Sequence, residues 1–154
     1  MATINTSVSA QTTSKGRLID ARGPRFSAAL TTLVLALALV THSGFLIAFQ
    51  LAVFTIGGFI GPQKTPYAWI FKTFVKPRLT GEVPTEDVRP PQFAQKVGFV
   101  FAVAALAGSI SHLSLLFTIA TSFCLAAAFL NAAFNFCLGC EMYLLLVRLT
   151  NRSK

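Results

Sequence analysis

The sequence predicts an all-α membrane protein: a four-transmembrane-helix bundle built from two parallel-repeat helical hairpins, with an amphipathic interfacial helix between them. Composition, two long apolar blocks and a one-sided distribution of basic residues predict this fold. Of the 154 residues, 54% are hydrophobic and only 12% are charged, whereas soluble domains carry about 25% charged residues. The composition therefore excludes a soluble enzyme, a disordered tail and a disulfide-built secreted module.

Each apolar block predicts two spanning helices joined by a tight turn. The first block covers residues 26–61 with a polar break at 41–44, and the second begins at residue 97 with a break at 109–112. One span needs about 20 apolar residues, so each block is too long for a single helix. Backbone groups in lipid must be satisfied internally, which selects helices. The predicted spans are residues 24–41, 45–61, 91–109 and 113–137.

The basic residues orient the chain. All 13 Lys and Arg residues lie before the first block, between the blocks or after the second. Cytoplasmic loops carry the excess of basic residues, so we predict a multi-pass protein of the bacterial inner (plasma) membrane with both termini cytoplasmic. The lipid bilayer is the expected partner. A nucleic-acid-binding face would not leave two long stretches without a cation, so no nucleic acid is expected.

The starts of the two hairpins repeat. The pattern Asp-x-Arg-x-Pro-x-Phe-small occurs at residues 20–27 and again at 87–94. Both copies begin on the same side of the membrane, so the repeat is parallel. Two interpretations of its arginines, Arg22 and Arg89, stay open. They either anchor the start of each hairpin at the membrane surface, or line a cytoplasmic mouth as charge partners of a site.

The predicted organisation follows from these blocks. Between the hairpins, Tyr67, Phe71 and Phe74 share one helical face with other apolar residues, while Lys72 and Lys76 lie on the other, which is typical of an interfacial helix. Three regions are predicted: a disordered cytoplasmic N-terminus (1–19), a membrane domain (20–148) and a basic cytoplasmic tail (149–154). Within the membrane domain, hairpins 20–62 and 91–148 flank an interfacial helix and cytoplasmic loop (63–90).

Polar residues inside the membrane are candidate functional groups. In the last predicted helix these are Cys124, Asn131, Asn135, Cys137, Cys140 and Glu141. Gln50 in the second helix is expected to form an interhelical hydrogen bond. His42 and His112 occupy matching outer turns, either as polar turn residues or with a metal or proton role.

The Cys137-x-x-Cys140 motif has three interpretations: small buried apolar residues, thiol or sulfur chemistry, or a metal site. Near the cytoplasmic interface a disulfide would be transient and catalytic. The pair is expected late in a helix, away from the helix N-terminus that activates thiols. Because Gly139 can break the helix and the segment from His112 to Arg148 is longer than one span needs, a bend or a helix that protrudes into the cytoplasm is expected there. Two cysteines without clustered histidines do not complete a four-ligand zinc site, so no metal and no cofactor are predicted. No catalytic triad, phosphate loop or dinucleotide fingerprint occurs.

Residues 20–26, 89–95 and 127–141 carry a family resemblance. The chain resembles, from about Ile19 to Val147, a group of small bacterial membrane proteins catalogued as a domain of unknown function. The resemblance implies a four-helix membrane domain with a C-terminal FNFCLGCE-type motif. It also implies association with thioredoxin-like and sulfurtransferase-like proteins. The family has no established activity that the resemblance could assign to this chain.

Three functional hypotheses follow. The first is a membrane partner in thiol-redox or sulfur-transfer chemistry, in which Cys137 and Cys140 cycle between dithiol and disulfide or carry sulfane sulfur. Glu141 would accept a proton, and Arg22 and Arg89 would be charge partners. The second is a non-catalytic structural or accessory subunit of a larger membrane complex. The third is a small-solute transporter.

Overall fold

The computed structural model describes residues 18–153. Most of the predicted N-terminal segment 1–19, and Lys154, therefore lie outside the described residues. The described chain is mostly helical, as an all-α fold requires. Its elements are β1 (Leu18–Asp20), α1 (Arg22–Thr41), α2 (Gly44–Thr55), α3 (Pro66–Ile70), β2 (Thr85–Asp87), α4 (Arg89–Ile110), α5 (Ser114–Phe134) and α6 (Leu138–Arg152).

Three described helices, α1, α4 and α5, are long and apolar enough to cross a membrane. The helix α2 continues through a π-helical turn, Ile56–Ile60, to give a shorter apolar helix over Gly44–Ile60. That length lies at the lower limit of about 17 residues for a span. Length and composition therefore identify three spans, and the fourth stays a prediction.

The apolar helices pack around one core. The helix α1 packs against α2 and α5, and α4 packs against α2, α5 and α6. Small residues permit close approach, as at Gly108, where an added Cβ would lie 2.6 Å from the backbone nitrogen of Phe117. Other apolar side chains point outward, and Leu33 and Val100 are 66% and 64% exposed. The core residues are Leu35, Ala38, Ile47, Phe54, Ala102, Ala105, Phe117, Ala120 and Cys124.

The repeated motif forms the same local structure twice. Arg22 donates to Asp20 from its backbone nitrogen (3.0 Å) and its guanidinium (3.0 and 3.1 Å). Arg89 binds Asp87 in the same way, from its backbone nitrogen at 2.9 Å and from its guanidinium. These hydrogen bonds hold the pKa of each aspartate below its ordinary value. The arrangement matches the interpretation of Arg22 and Arg89 as residues that build the start of each hairpin.

The two copies of the motif meet through a short sheet. Strands β1 and β2 pair antiparallel, with Ile19 opposite Glu86 and Asp20 opposite Thr85. Because each strand directly precedes the first helix of a hairpin, the pairing brings the starts of α1 and α4 together. The pairing also places Glu86 beside the helix starts.

The hairpin turns match as well. His42 follows α1 and His112 lies just after α4, and both adopt the left-handed backbone conformation, with φ of 50° and 56°. A left-handed residue is a common way to end a helix. The ring of His42 also packs against Phe117, with centroids 5.3 Å apart. These positions account for both histidines as turn residues.

The segment predicted as an interfacial helix is helical, and its aromatic residues differ in exposure. It consists of α3 and a π-helical turn, Phe71–Val75. Tyr67 and Phe71 are buried against the helices, whereas Trp69 and Phe74 are 62% and 54% exposed. Part of the predicted apolar face therefore packs on the protein, and the position of this segment at a membrane interface stays a prediction.

Gln50 links α1, α2 and α3 through side-chain hydrogen bonds. It is completely buried, its Nε2 donates to Thr31 Oγ1 at 3.3 Å, and its Oε1 accepts from the Tyr67 hydroxyl at 2.8 Å. Burial raises the pKa of Tyr67 to about 12, so the phenol keeps the proton that it donates. The expected interhelical hydrogen bond is present, and it extends to α3.

Candidate functional site: a cysteine pair at a helix N-terminus

The chain breaks between α5 and α6, just before the cysteine motif. The helix α5 ends at Phe134, and Asn135 adopts a left-handed conformation (φ 55°) while its N–H donates to Leu130 O. Asparagine tolerates this conformation better than most residues. The helix thus ends within a few residues of its predicted bound at 137, whereas the prediction that the cysteines lie late in a helix is wrong. The motif instead opens a second helix.

Cys137 is the N-cap of α6, and its Sγ accepts a hydrogen bond from the backbone nitrogen of Cys140 at 3.2 Å. The two sulfurs form a disulfide whose Cα atoms lie 5.2 Å apart, within the limit of about 7 Å. Both residues are partly exposed. The positive end of the helix dipole favours a thiolate at this position.

The first turn of α6 is fixed against α4 by close packing. A Cβ added at Gly139 would lie 2.6 Å from both Cα and Cβ of Ala94, so this approach requires glycine. One turn later the rings of Tyr143 and Phe93 pack with centroids 5.7 Å apart. The position of the cysteine pair therefore depends on α4.

A cavity of about 690 Å³ adjoins the cysteine pair and is lined by residues of α1, α2, β2, α4, α5 and α6. Such a volume is typical of a small-molecule site. The structure does not place Arg89 or Gln50 in its wall. The sequence-predicted site residues that do line it are Arg22, Cys124, Asn131, Asn135, Cys137, Cys140 and Glu141.

The cavity extends from the helix break into the apolar helices. Cys124 is 7% exposed and lines it. The helix rises 1.5 Å per residue, so Cys124 lies about 15 Å along α5 from the helix end. Phe123 also lines the cavity and is 62% exposed, which brings the cavity to the outer surface of the helices.

Charged groups line the end of the cavity near the motif. The Nε of Arg25 donates to Ala132 O at 3.2 Å, a carbonyl in the last turn of α5 that lacks a helical partner. Glu86 and Glu141 supply carboxyl groups to the same wall. Burial raises the pKa of Glu86 above its ordinary value, so its proton is held more tightly.

Sequence reasoning missed Arg25, Glu86 and Gln95 as lining residues. Each lies near the repeated motif, but only the pairing of β1 with β2 and the packing of α1 on α5 bring them to the cavity. The side chain of Gln95 packs against Gly57, where an added Cβ would lie 2.8 Å from its Oε1. Among the described residues this oxygen has no hydrogen-bond partner.

Comparison with known proteins gives one match. No curated protein and no solved structure is significantly similar to the chain. The family model described as "Domain of unknown function (DUF4395)" matches residues 19–148, a range that includes both copies of the repeated motif and the cysteine motif. The match confirms the resemblance to a family of unknown function. The chain therefore belongs to the DUF4395 family.

Proposed function

We propose that the protein is a membrane partner in thiol–disulfide chemistry, with Cys137 and Cys140 as the redox pair. One observation carries the proposal: Cys137 caps α6, is bonded to Cys140, and lies on the wall of a cavity. A buried structural cysteine needs neither the helix N-terminus nor the cavity. The scaffold hypothesis leaves this geometry unexplained, and the transporter hypothesis accounts for the cavity but not for the cysteine cap.

The exchange proceeds in two steps. A thiolate of a partner dithiol attacks Cys137 Sγ, which breaks the Cys137–Cys140 bond and releases Cys140 as a thiolate that takes up a proton. The second partner thiol then attacks the partner's sulfur in the mixed disulfide. The partner leaves with a disulfide, and Cys137 departs as a thiolate stabilised by the helix N-terminus. Glu141 is the proposed acceptor of the partner's thiol proton.

The proposed partner is a thioredoxin-like or sulfurtransferase-like protein. Phe134, Phe136 and Leu138 flank the motif and are 68%, 45% and 38% exposed. An exposed apolar patch beside a reactive cysteine is a suitable contact surface for a protein partner. A sulfurtransferase would leave a sulfane sulfur on Cys137, which adds the mass of one sulfur atom.

The proposed setting is an inner membrane crossed four times, with both termini in the cytoplasm. The basic residues support it, because each of the three regions that contain them would lie on the cytoplasmic side. Reporter fusions at the two termini test the topology. Cytoplasmic reporters at both ends support it, and an external reporter at either end contradicts it.

Alkylation of native membranes with a mass-tagged maleimide tests the redox role. We expect two additional tags per chain after dithiothreitol treatment, the same gain in Cys124→Ser, and no gain in Cys137→Ser. In Cys140→Ser, Cys137 should attack the oxidised, disulfide form of the partner, and the mixed disulfide should accumulate because no Cys140 thiol is present to release it. The proposal is wrong if reductant never changes the labelling of Cys137 and Cys140, and that result would favour the scaffold hypothesis.

A further inference from the structure

We propose that the cavity beside the cysteine pair binds a membrane quinone, which accepts the two electrons of the Cys137–Cys140 dithiol. The inference rests on the proposed thiol–disulfide function and adds its electron acceptor. A redox pair that receives electrons from a partner must pass them on to turn over. The cavity that Cys137 and Cys140 both line is a place where an electron acceptor can reach the pair.

The cavity has the size, walls and location that a quinone requires. Its volume of about 690 Å³ lies within the range of about 300–1,000 Å³ for small-molecule sites. Phe101 and Phe123 line it and stack with ring centroids 6.2 Å apart, an apolar surface suited to the quinone tail, which leaves the ring at the end beside the cysteines. Because Phe123 is also largely exposed, a ligand dissolved in lipid can reach the cavity without crossing water.

The polar groups suit both redox forms of the ligand. A quinone presents two carbonyl acceptors, and a quinol presents two hydroxyl donors. Arg22 and Asn131 line the cavity with groups that can donate to a carbonyl. Gln95 also lines the cavity, and its Oε1, which lacks a hydrogen-bond partner among the described residues, is an acceptor for a quinol hydroxyl once the amide turns away from Gly57. A lipid acyl chain offers no polar atom to these groups.

The reaction balances as a two-electron, two-proton transfer. Both S–H bonds of the dithiol break, one S–S bond forms, and the quinone oxygens each gain a hydrogen to give the quinol. Glu86 and Glu141 line the cavity and can carry the protons between sulfur and oxygen. The raised pKa of Glu86 suits a carboxyl that holds a proton at the cavity wall. Electrons would thus pass from partner thiols to the quinone pool.

Oxidation of the purified, reduced chain in lipid nanodiscs tests the inference. The probe is decylubiquinone, whose fully substituted ring does not add thiols. We expect one quinol per disulfide formed in the wild-type chain, measured by quinone absorbance and by the loss of two alkylatable thiols per chain. The variants Cys137→Ser and Cys140→Ser should form no disulfide and no quinol.

A matched pair of variants places the quinone in the cavity. Ala127 lines the cavity, so Ala127→Phe should slow quinol formation by about tenfold or more, equivalent to about 1.4 kcal/mol. Val100 is 64% exposed and does not line it, so Val100→Phe should have the wild-type rate. Equal rates in the two variants would contradict a cavity site.

A measurement without substitutions guards against misfolding. In the oxidised protein Cys124 is the free thiol, and it lines the same cavity. Decylubiquinone should therefore slow alkylation of Cys124 by a membrane-permeant maleimide. Protection without dithiol oxidation, or no protection at all, overturns the inference. If dithiothreitol or partner thiols still cycle the pair in that case, the proposed function stands and only the quinone fails.

Discussion

The contact between Gly139 and Ala94 should control the position of the cysteine pair. In Gly139→Ala the new Cβ would lie 2.6 Å from two carbon atoms of Ala94. Carbon atoms normally pack about 3.5–4.0 Å apart, so the start of α6 must retreat by about 1 Å. Overpacking of this kind lowers the unfolding free energy by about 1–3 kcal/mol, whereas replacing glycine by alanine in a helix raises it by about 0.8–1.0 kcal/mol. We expect a net loss of stability of up to about 2 kcal/mol.

Gly23→Ala is the matched control, because Gly23 also lies in the first turn of a helix. Its added Cβ would be 3.8 Å from the Phe71 ring, an ordinary contact, so this variant should keep or gain stability. Thermal unfolding in detergent measures both variants. The rate of disulfide reduction by a dithiol should fall about tenfold in Gly139→Ala, within the roughly 100-fold that a 1 Å misplacement can cost. Equal stabilities and rates in the two variants would refute the reasoning.

Three further predictions concern buried polar groups and pH. Gln50→Leu leaves the hydroxyls of Thr31 and Tyr67 without their partner. It should therefore lower the unfolding free energy by about 1–3 kcal/mol for each unsatisfied group, a larger loss than Tyr67→Phe causes. Equal losses in the two variants, measured by urea or detergent unfolding, would contradict this. Asp20→Asn should lower the unfolding free energy at neutral pH. Because the ion pair holds the Asp20 pKa below 3.8, the difference in unfolding free energy from wild type should vanish as pH falls below that value. A difference that persists in acid would argue against the ion pair. Burial raises the Glu86 pKa above 4.5, so the wild type should lose stability as pH rises above 4.5. Glu86→Gln should show no such loss, and unfolding measured between pH 4 and 8 tests both expectations.

The features that sequence predicted well depend on local patterns. Apolar blocks identified the helices, and α1, α4 and α5 lie within a few residues of their predicted bounds. The matching turns of His42 and His112 were predicted from the repeat, and both histidines adopt the left-handed conformation at a helix end. The polar residues of the last block converge on one cavity because they lie on either side of one helix break.

The features that sequence did not predict depend on long-range contacts or on one weak signal. The apolar pattern does not stop at Asn135, because Phe136 and Leu138 continue it. Gly139 indicated a bend or a protruding helix, but neither the left-handed Asn135 nor a helix start at the cysteine motif was expected. Glu86 reaches the cavity because two three-residue strands pair across 67 positions of the chain. Two tripeptides are too short to show a strand pattern.

An equilibrium redox titration of Cys137 and Cys140 tests the central claim most directly. The assay incubates the Cys124→Ser protein in lipid nanodiscs in dithiothreitol or glutathione buffers of defined potential and counts alkylated thiols by mass. A pair that exchanges with cellular thiols should change state as a single two-electron couple between about −180 and −300 mV. A pair that stays oxidised at potentials well below about −300 mV is structural, and that result would contradict the account.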